Sequence, residues 1–257
     1  MKYIDKSVNE TAGKLVVDTL LEDSWDVLDT CYKGADYEGL CKPAYRGQIL
    51  PLMLKEQSSL CCYCLKEIVL ADTTLEHIIP NRLKVADFAS YLVTNELTNN
   101  VIHKDVFDRG TKVIPPVLYP HDIAYHNLIA SCDSNMHCNN YRSDKKIEPF
   151  IFDANIENLV EYDKAGNASS VQYEDDLQKL GLLNSNSPLK LIRMIWYKLA
   201  NTFTHINEIT LDVIDDIIYE LILLFDGTKI VENFTQVPSY KDDVLKYKWF
   251  FNYYKSI

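Results

Sequence analysis

The chain has 257 residues, 47% hydrophobic and 25% charged, a composition typical of a soluble globular protein with one large domain or two smaller ones. Its 8 Gly and 9 Pro exclude collagen-like and proline-rich disordered chains. The best apolar run, residues 213–225, contains three carboxylates, so we predict no membrane span. The first residues lack the apolar core of a signal peptide, and we therefore expect a cytoplasmic protein with reduced thiols.

The charge of the chain argues against tight nucleic-acid binding by the chain alone. There are 26 Lys and Arg residues against 37 Asp and Glu residues, which gives a formal net charge of −11. Proteins that bind DNA by themselves usually carry a cationic surface, because phosphate contacts supply most of the affinity. Either this chain does not bind nucleic acid, or it binds weakly and a partner supplies the missing affinity.

Residues 1–58 are predicted to be an N-terminal helical region. Apolar residues recur there at helical spacing, at Leu15, Val16, Leu20, Leu21, Trp25 and Leu28. A second helix is predicted from about residue 43 to residue 59. Its inward face should carry Ile49, Leu50, Met53 and Leu54.

Residues 59–147 contain five of the seven Cys and five of the six His residues. Cys61 and Cys64 have the spacing of a zinc knuckle, and Cys132 and Cys138 form a second, wider pair. Four thiolates close a tetrahedral, structural zinc site. His137 is an alternative to Cys138 as the fourth ligand, and the alternative to zinc is a set of unrelated buried cysteines. Small buried thiols are also the expectation for the cysteines outside the two pairs, Cys31, Cys41 and Cys62.

Between the two cysteine pairs, residues 74–80 are predicted to form a strand that Pro80 ends. Glu76 and His77 are adjacent, so both can reach one ion or phosphate only where the strand ends or bends. Residues 126–132 are again predicted to be extended. A short helix is expected to begin at Cys138.

The order of these motifs resembles that of the HNH endonucleases, which have a ββα-metal core. Within this family, the chain most resembles the PtuB-type HNH subunits of Septu anti-phage systems and their retron-linked relatives. The matching residues are Tyr45-Arg46, Ile49, Leu54, Cys61-x-Tyr63-Cys64, Glu76-His77, Asn127-Leu128 and the long knuckle from Cys132 to Lys145. The match is specific over residues 60–146 and faint elsewhere. A long insert separates His77 from Asn127, and Asn139 stands at a motif position where His is common.

The resemblance implies hydrolysis of DNA phosphodiester bonds with catalytic Mg²⁺ or Mn²⁺. It implies that Glu76 and Asn139 are oxygen ligands of that metal and that His77 is the general base. Asn127 matches the residue that holds the loop orienting the base. The zinc ion would be purely structural. The resemblance also implies a bacterial anti-phage complex with an ABC/SMC-like ATPase resembling PtuA, and such a partner would explain the acidic charge.

Residues 148–257 are predicted to be mainly helical. A hairpin is expected at residues 160–173 with its turn near Gly166, a helix should begin at Ser187-Pro188, and another should run from Thr210 to Gly227. Residues 243–257 are predicted to form a last helix. Its aromatic and Lys residues favour an amphipathic helix that closes the core, with base stacking or partner docking as the alternative.

The sequence therefore predicts an α+β protein with a zinc-stapled ββα-metal HNH core at 59–147, between helical regions at 1–58 and 148–257. Two other functions remain open at this point. One is a non-catalytic zinc-knuckle module that only binds a protein or a nucleic acid. The other is an HNH nuclease that acts on RNA, including tRNA. The histidines without a motif position are predicted to have structural or surface roles, namely His103, His121, His126 and His205.

Overall fold

The computed structural model describes residues 1–143, 145–184, 187–224 and 240–257. The helices in these segments are α1 (Glu10–Asp23), α2 (Tyr37–Leu40), α3 (Pro43–Glu56), α4 (Val85–Phe88), α5 (Asn95–Thr98), α6 (Cys138–Arg142), α7 (Ile156–Leu159), α8 (Glu174–Lys179), α9 (Pro188–Thr202), α10 (Leu211–Leu224), α11 (Tyr240–Leu245) and α12 (Trp249–Ser256). The strands are β1 (Trp25–Asp26), β2 (Cys31–Tyr32), β3 (Thr73–His77), β4 (Val101–Ile102), β5 (Tyr119–Pro120), β6 (Leu128–Cys132), β7 (Glu161–Tyr162) and β8 (Ala168–Ser169). Within the described segments they pair as four two-stranded sheets, and the mixture of helices and small sheets agrees with the predicted α+β class.

The N-terminal region differs from the prediction at its first helix. α1 ends at Asp23, and Trp25 begins β1, which pairs antiparallel with β2. Leu15 is 63% exposed and Leu28 is 93% exposed, so the predicted apolar stripe was wrong at both ends. The helix instead buries Gly13, Val16, Val17, Leu20 and Leu21.

The second predicted helix agrees with α3. Pro43 stands in the first turn, where a missing backbone N–H costs nothing. The four residues expected to face inward are all buried, namely Ile49, Leu50, Met53 and Leu54. α3 packs against α1 and against β6, so this helix supports one of the strands that carry the candidate site.

The longest sheet consists of β3 and β6, which pair antiparallel. The register places Thr73 opposite Cys132 and His77 opposite Leu128. Every residue of β6 is buried, and four of the five residues of β3 are buried. β3 ends at His77, so Glu76 and His77 stand at a strand end, as the sequence required if both side chains were to reach one site.

The C-terminal region is helical apart from the β7–β8 hairpin. The hairpin agrees with the prediction, but its second strand is Ala168–Ser169 rather than residues 170–173. The Ser187 hydroxyl accepts a hydrogen bond from the Leu189 N–H (3.3 Å), which caps α9 where predicted. Residues 243–257 are mostly helical as predicted, but in two pieces, because α11 ends at Leu245 and α12 begins at Trp249. Thr210 caps α10 through the Val213 N–H, whereas Gly227 lies outside the described residues.

One continuous hydrophobic core contains residues from all three predicted regions. Trp196 of α9 is fully buried and donates from its indole nitrogen to the Val244 carbonyl (2.9 Å), which joins α9 to α11. Lys6 is also buried, and its ammonium binds both the Glu56 carboxylate and the Leu128 carbonyl. The N-terminal segment is thereby attached to β6. None of the described helices is long and apolar enough to cross a membrane.

Candidate functional site

The four predicted zinc ligands converge on one point. The thiols of Cys61, Cys64, Cys132 and Cys138 all lie within 4.8 Å of one another, and all four residues are buried. The Cys61 and Cys138 sulfurs are 3.8 Å apart, and the Cys64 and Cys132 sulfurs are 3.7 Å apart. A tetrahedral site with zinc–sulfur bonds of about 2.3 Å requires sulfurs separated by about 3.8 Å. The cluster therefore has the dimensions of a structural zinc site.

The first knuckle forms because the chain reverses direction after Leu60. Leu60 and Glu67 make an isolated antiparallel bridge, and the Leu65 N–H donates to the Cys61 carbonyl (3.2 Å). The Cys62 N–H donates to the Ala130 carbonyl of β6 (3.2 Å). This bond places the first knuckle beside β6, the strand that ends at Cys132, where the second knuckle begins.

The second knuckle runs from Cys132, the last residue of β6, to Cys138, the first residue of α6. The Cys138 N–H donates to the Leu180 carbonyl (2.8 Å). Gly181 follows with a φ of +69°, and a Cβ on it would lie 2.7 Å from the Met136 carbonyl oxygen. Only glycine allows this close approach, so the connection after α8 fixes the wide loop between the two thiols.

The fourth thiol of the cluster is Cys138, and His137 lies beside it. The His137 Nδ1 atom is 3.1 Å from the Cys138 sulfur. Burial alone raises the pKa of a thiol, but hydrogen bonds from Cys132 and Cys138 outweigh burial at Cys64 and lower its pKa to about 6. A thiolate is the form that binds metal. Among the other cysteines, Cys62 is buried as predicted, whereas Cys31 and Cys41 are only partly buried.

His77 is held in one orientation by the loop that precedes β6. The ring is 9% exposed, and its Nε2 atom lies 2.9 Å from the Asp122 carbonyl oxygen. Because a carbonyl only accepts hydrogen bonds, Nε2 carries the proton and Nδ1 keeps its lone pair. Burial lowers the pKa of His77 to about 4. At neutral pH the imidazole is therefore uncharged and able to accept a proton at Nδ1.

Asn127 fixes the same loop from the other side. Its side-chain oxygen accepts from the Ile79 N–H (2.7 Å), and its amide nitrogen donates to the Ile79 carbonyl (3.0 Å) and the His121 carbonyl (2.7 Å). His121 immediately precedes the residue whose carbonyl binds His77. This buried amide therefore joins the segment after His77 to the loop that orients the imidazole.

Glu76 lies in a buried ion pair with Arg142, the last residue of α6. The Glu76 Oε1 atom accepts from the Arg142 guanidinium and from the Tyr63 hydroxyl (3.2 Å). Burial raises the pKa of the Glu76 carboxyl to about 7, although Arg142 acts in the opposite direction. Both hydrogen bonds fall on Oε1, which leaves Oε2 as the oxygen that can bind a metal.

Arg142 is the functional residue that the sequence analysis missed. Its Nη1 donates to the His77 carbonyl (2.8 Å), its Nη2 to the Ile78 carbonyl (2.8 Å) and its Nε to the Lys145 carbonyl (3.0 Å). The side chain is 1% exposed. Its position three residues after Asn139 on a short helix was a usable signal, because residues at this spacing share one helix face.

Asn139 lies in the first turn of α6 and is partly buried. Within the described residues, no group makes a hydrogen bond to its side-chain amide. It stands three residues before Arg142, whose guanidinium reaches the end of β3. Glu76, His77 and Arg142 thus meet at that strand end, and Asn139 lies in the first turn of the helix that carries Arg142.

Three of the four histidines without a motif position are buried, which agrees with the structural rather than the surface option of the prediction. His103, His121 and His126 are each no more than 2% exposed, so the surface alternative is wrong for them. The His103 and His121 rings lie 4.7 Å apart, and His126 contacts Glu96. Only His205 among these four is exposed, and it precedes a 3-10 turn that follows α9.

No protein-family model matches this chain, and the comparisons with curated proteins and with solved structures found no significant match.

Proposed function

We propose that this chain is a metal-dependent HNH endonuclease that hydrolyses DNA. The observation that carries the proposal is the His77 ring at the end of β3, a strand paired with the one that leads into the four-thiol cluster. Its Nε2 is bound to a carbonyl, and its Nδ1 has no hydrogen-bond partner among the described residues. A general base needs a fixed ring and an available lone pair near neutral pH. The antiparallel β3–β6 pair followed by α6 supports a ββα arrangement.

In this proposal His77 accepts a proton at Nδ1 from the water that attacks the phosphate. The Asp122 carbonyl stabilises the protonated ring, because it accepts from Nε2 both before and after the transfer. Asn127 holds the loop that presents this carbonyl. The base is thus oriented by two residues that never touch the substrate.

The donors at the strand end fit a hard divalent cation such as Mg²⁺ or Mn²⁺. Glu76 offers Oε2 and Asn139 offers its amide oxygen, and both are oxygen ligands. When bound, such a cation would stabilise charge on the phosphate as a Lewis acid. Arg142 holds the Glu76 carboxylate and the backbone of His77 in place on the protein side.

We also propose that the nuclease works in a bacterial defence complex with an ATPase partner. The net charge of −11 repels DNA, so another subunit has to supply the phosphate contacts. An ABC/SMC-like ATPase would both present the DNA and control cleavage.

The test is a plasmid-nicking assay with Mg²⁺ or Mn²⁺, run with and without EDTA and with zinc quantified. His77→Ala should abolish cleavage while zinc content and melting temperature stay close to those of the wild type. The matched control is His205→Asn, an exposed histidine outside the site, which should cleave normally. Unchanged cleavage by His77→Ala would remove this residue as the base. A parallel assay with single-stranded RNA and tRNA separates the two substrate classes.

One observation favours the non-catalytic alternative. The Glu76 carboxylate is buried and ion-paired with Arg142, which is also what a purely structural carboxylate would show. A zinc-knuckle module that only binds a partner would keep its fold and its zinc in the single variants Glu76→Gln and Asn139→Ala. The nuclease would lose metal-dependent cleavage in each of them.

A further inference from the structure

A groove in the C-terminal region has the chemistry of a cation-binding site. Its cavity of about 670 Å³ lies between α12, α7 and the β7–β8 hairpin. This volume falls within the range of ligand sites in proteins. The groove contains none of the residues of the candidate nuclease site, so its role can be examined independently.

Aromatic rings form one wall of the groove. Trp249 and Tyr253 stand one turn apart on α12, and their rings stack with centroids 5.4 Å apart at an angle of 20°. Tyr162 meets Tyr253 edge to face at 5.2 Å, and its backbone N–H donates to the Tyr253 hydroxyl (2.9 Å). The aromatic wall is therefore held rigidly from the hairpin side.

Carboxylates also line the groove. Glu157 and Glu161 line the cavity, both are exposed, and neither has an ion-pair partner among the described residues. Asp163 also lines it, but its carboxylate binds Asn167 within the hairpin turn. The lining residues include no Lys or Arg. An anionic ligand such as a phosphate would therefore meet only repulsion.

A second cavity of about 480 Å³ extends the groove along the hairpin. It shares Asn158, Glu161 and Ser169 with the first cavity and adds Glu174, again without any Lys or Arg. The carboxylates in the two cavities do not form a group of three or more that is close enough together to share a metal ion. Within the described segments, only the four cysteines form such a group, with all their ligand atoms within 4.8 Å of one another.

The same aromatic cluster already binds one guanidinium on its buried side. The Arg193 guanidinium carbon lies 5.0 Å from the centroid of the Tyr162 ring, and Arg193 is 2% exposed. Planar cations are attracted to aromatic faces, and the attraction adds to that of nearby carboxylates. On the exposed side, the rings and the carboxylates are present, and no Lys or Arg is among the described residues that line the groove.

We propose that this groove binds an arginine-containing basic segment of a partner protein. The guanidinium would lie against the Trp249–Tyr253 pair and pair with Glu157 and Glu161. Arginine fits better than lysine because its planar group stacks on rings while it donates to carboxylates. The groove shares no residue with the candidate nuclease site, so this proposal can be tested independently of the nuclease activity.

The test measures binding of the peptide acetyl-(Ala-Arg)4-amide to the full chain by isothermal titration calorimetry at low salt. Wild-type protein should bind the peptide saturably. Glu157→Gln/Glu161→Gln keeps the rings, and Trp249→Leu/Tyr253→Leu keeps the carboxylates. Both double variants should weaken binding by about tenfold or more.

The matched control is Asp212→Asn/Asp216→Asn, which removes the same two charges from the exposed face of α10. It should bind within about twofold of the wild type. An equal loss in this control would mean unspecific attraction to an acidic protein and would overturn the proposal, as would the absence of saturable binding. If the aromatic variant fails to fold by circular dichroism, the comparison of the two carboxylate variants decides the question.

Discussion

Arg142 donates to the side chain of Glu76 and to the backbone carbonyls of the next two residues, His77 and Ile78. One guanidinium thus joins α6 to the end of β3. Its five N–H groups in a rigid plane suit this arrangement, whereas the single ammonium of lysine cannot reproduce it. At this scale the geometry of the candidate site depends on a residue that takes no direct part in the proposed chemistry.

We expect Arg142→Met to lower the free energy of unfolding by about 3–5 kcal/mol, because it leaves the Glu76 carboxylate buried without a counter-charge. Adding Glu76→Gln removes that charge and should recover part of the loss. Urea unfolding at pH 7 measures both. Arg82→Met, at an exposed position, is the control, and an equal loss there would contradict the assigned role.

His77 predicts a pH dependence of stability with a defined sign. Burial lowers its pKa to about 4, against about 6.5 in the unfolded chain, so the unfolded state takes up a proton first as the pH falls. The stabilisation is complete above pH 6.5 and is lost as the pH falls towards 4, by about 3 kcal/mol.

His77→Gln should remove this part of the pH dependence, because glutamine does not titrate. Urea unfolding at pH 7, 5.5 and 4.5, with zinc content held equal, gives the difference between the two proteins. His205→Gln should keep the wild-type dependence, since this side chain is exposed. Parallel curves for wild type and His77→Gln would refute the prediction.

At the scale of elements, the thiol cluster joins two turns that are distant in sequence. The first knuckle precedes β3 and the second connects β6 to α6, so a bound ion would hold both strands and the helix together. A five-residue helix has little stability of its own. The position of Asn139 and Arg142 therefore depends on the cluster and on the contacts of α6 with the strands.

Cys138→Ser should release zinc and lower the melting temperature steeply, since structural zinc contributes roughly 10–16 kcal/mol of binding free energy. Zinc per chain, measured by plasma emission spectrometry, should fall from one towards zero. Cys62→Ala changes a buried thiol outside the cluster and should keep the zinc. Full zinc retention in Cys138→Ser that disappears on adding His137→Ala would instead identify His137 as the ligand.

For the whole molecule, charge decides what the chain can do alone. The net charge of −11 opposes approach to DNA, and the groove beside α12 adds carboxylates rather than cations. The proposed nuclease therefore has its chemistry within a fold that does not attract its substrate. This combination is expected of a subunit and not of a free enzyme.

The isolated chain should nick plasmid slowly, and addition of the proposed ABC/SMC-like ATPase partner should raise the rate by at least about tenfold, because the partner would supply the phosphate contacts. The assay compares rates at two salt concentrations with and without ATP. Equal rates for the chain alone and for the complex would contradict the gating role.

Much of the candidate site was accessible from the sequence because its signals are local. The cysteine spacings, the Glu76-His77 pair before Pro80 and the Ser187-Pro188 helix start each depend on neighbouring residues. The same reasoning failed at Leu15 and Leu28, where helical spacing continued past the real end of α1. Periodicity records which residues are apolar, but a turn at residue 24 depends on packing around Trp25.

The sequence by itself determined the two cysteine pairs, the α+β class and the acidic charge, since spacing and composition are properties of the chain. Only the tertiary structure decided that Cys138 completes the cluster, that Arg142 pairs with Glu76, and that Nε2 rather than Nδ1 of His77 carries the proton. Each of these depends on which groups from distant segments become neighbours after folding, and burial then fixes their charges and hydrogen bonds.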